Sequence, residues 1–132
     1  VVLMGRLTLI EAGLHTLYDR DDLRYPRSAW FGRASQFHAY LRLGQRMAEG
    51  EVAIWLTIAN MTARRQRTGL MRELFDLCEG FAAERPVIRG VYVEQVLETK
   101  IVPFLTARGY VHDPASDPLG EGMGTYTRRT PR

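Results

Sequence analysis

The 132-residue sequence contains one cysteine, one lysine and three histidines. A lone thiol, Cys78, excludes an internal disulfide, and its place among Leu74 and Phe81 points to core packing. His15, His38 and His112 have no Cys or His partner at ligand spacing, so no metal site is expected. Long apolar runs are missing as well. Val52 to Leu56 is the longest, against the roughly 18 residues that a membrane helix needs. Repeats and low-complexity linkers are also absent, and 45% hydrophobic with 25% charged residues suits one compact domain spanning 1–132. These features predict a protein with no membrane partner in a reducing, cytoplasmic setting. Val1 to Met4 is too short for a signal peptide.

Lysine scarcity has a counterpart. Of 18 basic residues, 17 are arginine, and the formal charge is +3. Guanidinium is the planar, bidentate ligand of phosphate and carboxylate groups, so the skew suits an anion site without requiring one. A nucleic-acid interface is the lower-ranked reading. Arg64 to Arg72 contains no interleaved aromatic residue, and the 15 acidic residues dilute the field.

Periodicity divides the chain near Gly50. Leu7, Ile10, Leu14, Leu17 and Tyr18 recur at helical spacing and predict an amphipathic helix. Trp30, Ala34, Phe37, Leu41 and Ala48 predict a second helix, although Phe37, Ala39, Leu41 and Leu43 also alternate as a strand does. Residues 1–50 are therefore read as mainly helical. From Glu51, the nearly continuous apolar stretch through Ile58 predicts a central strand buried on both faces. A basic segment, Met61 to Thr68, leads to Gly69 and to a helix carrying Leu70, Leu74, Leu77 and Phe81, closed by Pro86. Val87 to Val96 predicts a second strand, parallel to the first through a right-handed crossover. A short helix over about 98–108, a strand at Tyr110 to His112 and an edge strand at Thr125 to Thr130 follow.

The junction Thr62 to Met71 carries the chemistry. First-turn N–H groups of a helix have no internal acceptor and sit at the positive end of its dipole, which suits a phosphate. Gly69 allows close backbone approach, and Arg64, Arg65 and Arg67 add charge.

Gln66-Arg67-Thr68-Gly69-Leu70-Met71 resembles the pyrophosphate-binding motif of the GCN5-related N-acetyltransferases, Gln/Arg-x-x-Gly-x-Gly/Ala. Downstream, Phe104-Leu105 through Gly109-Tyr110 is similar to that family's Phe-Tyr-x-x-x-Gly-Phe ending, and the likeness covers about residues 51–130. It implies an α/β (α+β) fold, a three-layer αβα domain around a mixed, splayed sheet, here with reduced N-terminal strands. Residues 51–130 would form the acyl-CoA half and 1–50 the acceptor side.

The resemblance further implies acetyl-CoA as co-substrate and transfer of its acetyl group to an amine acceptor. Backbone groups near Ala59 and Met61 would meet the pantetheine arm, and Gln66, Arg67, Thr68, Gly69, Leu70 and Met71 would hold the pyrophosphate. Glu94, with Glu51 as a second candidate, would be the general base. Departures from the pattern are Met71 for a small residue, Glu98 for an asparagine and Leu105 for the tyrosine acid. They keep open a catalytically inactive protein of this fold serving as a structural or assembly subunit, with a homo-oligomer or another chain as partner.

Overall fold

The computed structural model describes residues 8–19, 27–33, 37–63, 69–96 and 99–131. Helix α1 (Thr8–Tyr18) precedes strands β1 (Arg27–Arg33), β2 (Phe37–Ala48) and β3 (Glu51–Ala63). Helix α2 (Leu70–Ala83), strand β4 (Ile88–Val96), the short helix α3 (Val102–Ala107) and strands β5 (Val111–His112) and β6 (Gly124–Arg129) complete the order. They form one mixed six-stranded sheet, β1-β2-β3-β4-β6-β5.

The apolar stretch that begins at Glu51 is the central strand it resembles. Leu56 and Ile58 enter the main core while Trp55 and Thr57 are buried on the opposite face. Strand β4 pairs with β3 in parallel, connected through α2. Helix α2 has the wide apolar face expected of a helix lying on a sheet, with Leu74, Phe75, Cys78, Phe81 and Ala82 buried. It ends before Pro86, whose ring cannot continue a helix.

Three expectations are corrected. Residues 27–33 and 37–48 are not helical: β1 and β2 form a long antiparallel pair, from Arg27↔Leu43 to Arg33↔Phe37, so the N-terminal strands are not reduced. The two-residue alternation governs here, because Ala39, Leu41 and Leu43 all enter the core while Arg42 and Arg46 occupy the other face. The segment at Thr125 to Thr130 is not an edge. Strand β6 lies between β4 and β5, which explains why Tyr126 is buried on one side and Thr125 and Thr127 on the other. Finally, the three described helices share one face. Phe81 of α2 meets His15 and Tyr18 of α1, and Phe75 of α2 meets Phe104 of α3, all edge to face. One core holds residues from every helix, and among the described residues the opposite face carries side chains instead of a second helical layer.

Polar groups fasten the helical layer to the sheet. Glu79 of α2 accepts from Arg108 Nε and Nη2 at 3.0 and 2.9 Å and from the Tyr110 hydroxyl at 2.9 Å. Arg128 of β6 approaches the same carboxylate at 3.3 Å. Burial, followed by the Glu79 charge, pushes the Tyr110 phenol well above its ordinary value, so it stays a proton donor. At the β2–β3 turn, Glu49 and Gly50 both have positive φ, 54° and 79°, the pattern of a type I′ hairpin turn. Glu49 also pairs with Arg129, tying the turn to β6. Among the described residues no helix is long and apolar enough to cross a membrane.

Candidate functional site

The parallel ladder between β3 and β4 runs from Ile54↔Ile88 to Ile58↔Val93, and the described pairing stops there. Strand β3 continues along β2 as far as Ala63↔Phe37, whereas β4 continues along β6 to Val96↔Gly124. The two central strands therefore part beyond Ile58 and Val93. A bulge accompanies the parting. Leu41 pairs with Ile58 and Tyr40 with Asn60, so Ala59 is the extra residue on β3. Bulges bend a strand and leave the extra residue outside the regular ladder, which frees backbone groups at the mouth of the gap.

Gly69 lies beyond the same end of β3, at the N-cap of α2. Its φ of 79° and ψ of 0° are left-handed, and as the N-cap it offers no side chain to cap the helix. A residue with a Cβ is disfavoured in this conformation, which gives the glycine a local reason. Its carbonyl accepts from Glu73 N at 3.1 Å, the first bond of the α2 ladder, and first-turn amides of a helix have no partner within the helix. Met71 is half-buried against the core. Gln66, Arg67 and Thr68 lie outside the described residues, as do the side chains of Met61 and Leu70. Met61 itself belongs to β3 beyond the point where the strands part.

Glu94 follows the last β3–β4 pair and faces the side of the sheet opposite the helices. Its Oε2 accepts from Arg42 Nη1 at 3.1 Å and Arg46 Nη1 at 2.9 Å. The Arg46 guanidinium also covers the Tyr92 ring at 3.8 Å. Glu94 is thus held in an Arg–Glu–Arg cluster beside the gap. Glu51 is not its companion. It starts β3, eight residues before Ala59 or about 26 Å along the strand, and pairs with Arg89 and Arg129.

The sequence reading missed this arginine pair. Arg42-Leu-Gly44-Gln-Arg46 carries the signal once the segment is a strand, because alternation sets both guanidiniums on one face with Gly44 between them. Arg42, Gly44, Gln45, Arg46, Met47 and Thr57 line a groove of about 350 Å³.

Leu105 is fully buried in α3 and contributes packing only. Cys78 is buried too, and desolvation raises its thiol far above the ordinary range, so it is no nucleophile. His112 lies 2.7 Å from the Met123 carbonyl oxygen through Nε2 and stacks on Tyr126 at 4.8 Å, anchoring the loop before β6. No set of three or more His, Cys, Asp or Glu residues among the described residues is arranged to hold a metal.

No protein-family model and no curated protein matches the chain. Solved structures do match. One is a tyrosine-to-phenylalanine mutant of the toxin AtaT bound to the C-terminus of the antitoxin AtaR and acetyl-CoA, at 17% identity and a TM-score of 0.50. Another holds the same mutant toxin bound to the antitoxin C-terminus, at 18% identity and a TM-score of 0.51. Each covers 72% of this chain, which in turn covers 59% of the toxin chain. Over that segment this chain shares the mixed α+β fold of the toxin AtaT.

Proposed function

We infer that this chain binds an acyl-CoA where β3 and β4 part and transfers the acetyl group to an amine. The observation that carries this reading is the conjunction, at one end of the central sheet, of the parted strands, the bulged Ala59 and the left-handed Gly69 opening α2. These features suit an elongated thioester carrying a pyrophosphate. Backbone groups at Ala59 and Met61 would pair with the amide-bearing arm, and the segment from Gln66 to Met71 would receive the diphosphate at the α2 N-terminus. The thioester supplies an activated acetyl group.

Glu94 is the proton acceptor in this reading, standing beside the gap on the face away from the helices. Leu105 has no proton to donate, so a transferase built this way works without an acid from α3, through positioning of acceptor and thioester. That same residue favours a second reading, an acyl-CoA-binding protein of this fold that does not turn over.

Isothermal titration with acetyl-CoA tests the binding claim. Micromolar affinity is expected, with a loss of about a hundredfold in Gly69→Trp, whose side chain would occupy the anion's approach and strain a left-handed backbone. No binding at millimolar acetyl-CoA overturns the reading. Release of free CoA thiol in the presence of amines then separates the transferase from the non-catalytic binder.

A further inference from the structure

We propose that the Arg42–Arg46–Glu94 cluster, with the end of the groove beside Thr57, is the acceptor site and that it selects a small amine bearing its own anionic group, such as an amino acid-like zwitterion. The inference rests on the acyl-transfer reading for its role in catalysis, but its binding claim stands on the groove and on the Glu94 carboxylate that two of its arginines hold.

Charge is the first argument. Arg42 and Arg46 bring two positive charges to Glu94, leaving the cluster one net positive charge beside a concave surface. Each guanidinium has five N–H donors in a planar fork and gives one Nη1 to the single oxygen Oε2. Such forks bind carboxylates in pairs of parallel bonds, so an incoming carboxylate competes well for both arginines. Glu94 excludes a different class of ligand. A polyanion would meet its carboxylate within the arginine pair, whereas a zwitterion offers an ammonium to Glu94 and a carboxylate to the arginines.

Size and surroundings agree. A groove of about 350 Å³ lies at the small end of ligand sites, suited to a molecule of amino-acid dimensions. Its hollow follows from Gly44, set between the arginines on β2.

The arrangement also gives the arginines a function in the reaction. Without acceptor they hold Glu94 by Oε2. When a ligand carboxylate takes the guanidiniums, Glu94 is released to the ammonium and receives one proton from it, giving a neutral amine and a neutral carboxyl group. The carboxylate of the acceptor thereby prepares its own amine for attack.

Ligand-observed NMR on the protein without acetyl-CoA tests the binding claim. The probes are a short series of ω-amino acids from glycine upward, each matched to the alkylamine and the carboxylate of equal length. At least one zwitterion is expected to bind about tenfold more tightly than either matched single-function compound. In Arg42→Gln/Arg46→Gln that advantage should disappear, with acetyl-CoA affinity unchanged. Glu94→Gln should remove the preference for the amine while propionate binding persists. If the double variant does not fold, the single Arg46→Gln variant provides the comparison. Equal binding of zwitterion and alkylamine by the wild type, or an advantage that survives loss of the arginines, overturns the proposal. Absence of acetyl-CoA binding with the zwitterion preference intact would refute the acyl-transfer reading alone.

Discussion

Gly90→Ala is expected to cost about 3 kcal/mol and to lower Tm by roughly 10 to 15 °C, although it adds a single methyl group. Gly90 lies in β4 opposite Arg129 of β6. A Cβ built there would collide with the Arg128 carbonyl oxygen and stand 2.9 Å from both the Arg128 carbonyl carbon and Arg129 Cα. These are backbone atoms of a paired strand, so a side-chain rotation cannot relieve the contact. The whole ladder must move, and it includes the hydrogen bond from Thr130 N to the Arg89 carbonyl. Gly80→Ala provides the control. Gly80 is on α2, and a methyl group added there would meet nothing within 4 Å, so the change should stabilise by about 1 kcal/mol through helix propensity. Thermal unfolding followed by circular dichroism measures both. A Tm for Gly90→Ala within about 2 °C of wild type would refute the close β4–β6 approach.

Glu79→Ala should be of similar size, about 3 kcal/mol, against a total stability of the order of 5–15 kcal/mol. The Glu79 carboxylate is 13% exposed and serves Arg108, Arg128 and Tyr110 together. Removing it leaves two guanidiniums without a shared anion and a buried phenol without its acceptor. Asp76 still pairs with Arg108, which keeps the cost from rising further. Glu79→Gln retains an oxygen for Tyr110 while removing the charge, so it should recover roughly half of the loss. Urea unfolding gives the three values. Equal stability of the Ala, Gln and wild-type proteins would mean that this clasp contributes nothing to the joining of α2, α3 and β6.

The acidic helix position at Glu79 shows why some of the structure was hidden in the sequence. In one dimension it is a polar residue between apolar stripes, and its partners lie 29, 31 and 49 positions later, at Arg108, Tyr110 and Arg128. The need for glycine at 90 is hidden in the same manner, because it arises from a carbonyl on β6. Local patterns were more legible. The apolar stretch after Glu51 gave a central strand, the double stripe on α2 gave a helix lying on the sheet, and the crossover gave parallel β3 and β4.

Competing periodicities account for the main error. Across Trp30 to Ala48 a spacing of three or four residues and a spacing of two coexist, and only pairing with β1 and β3 favours the latter. Reading that strand as a helix hides the site and not the pair, since Arg42 and Arg46 at i and i+4 would share a helix face too, but with Gly44 elsewhere. On β2 they flank Gly44 and converge on Glu94, a residue 48 positions beyond Arg46. The candidate base was therefore legible, but its surroundings required the fold.

The most direct test of the central claim is an amide chemical-shift map recorded while acetyl-CoA is titrated into the labelled protein. The largest changes are expected at Ala59, Gly69, Met71 and Glu94, around the parting of β3 and β4. No change at millimolar acetyl-CoA, or changes gathered instead around Glu49, Glu51 and Arg129 at the far end of the sheet, would contradict that claim.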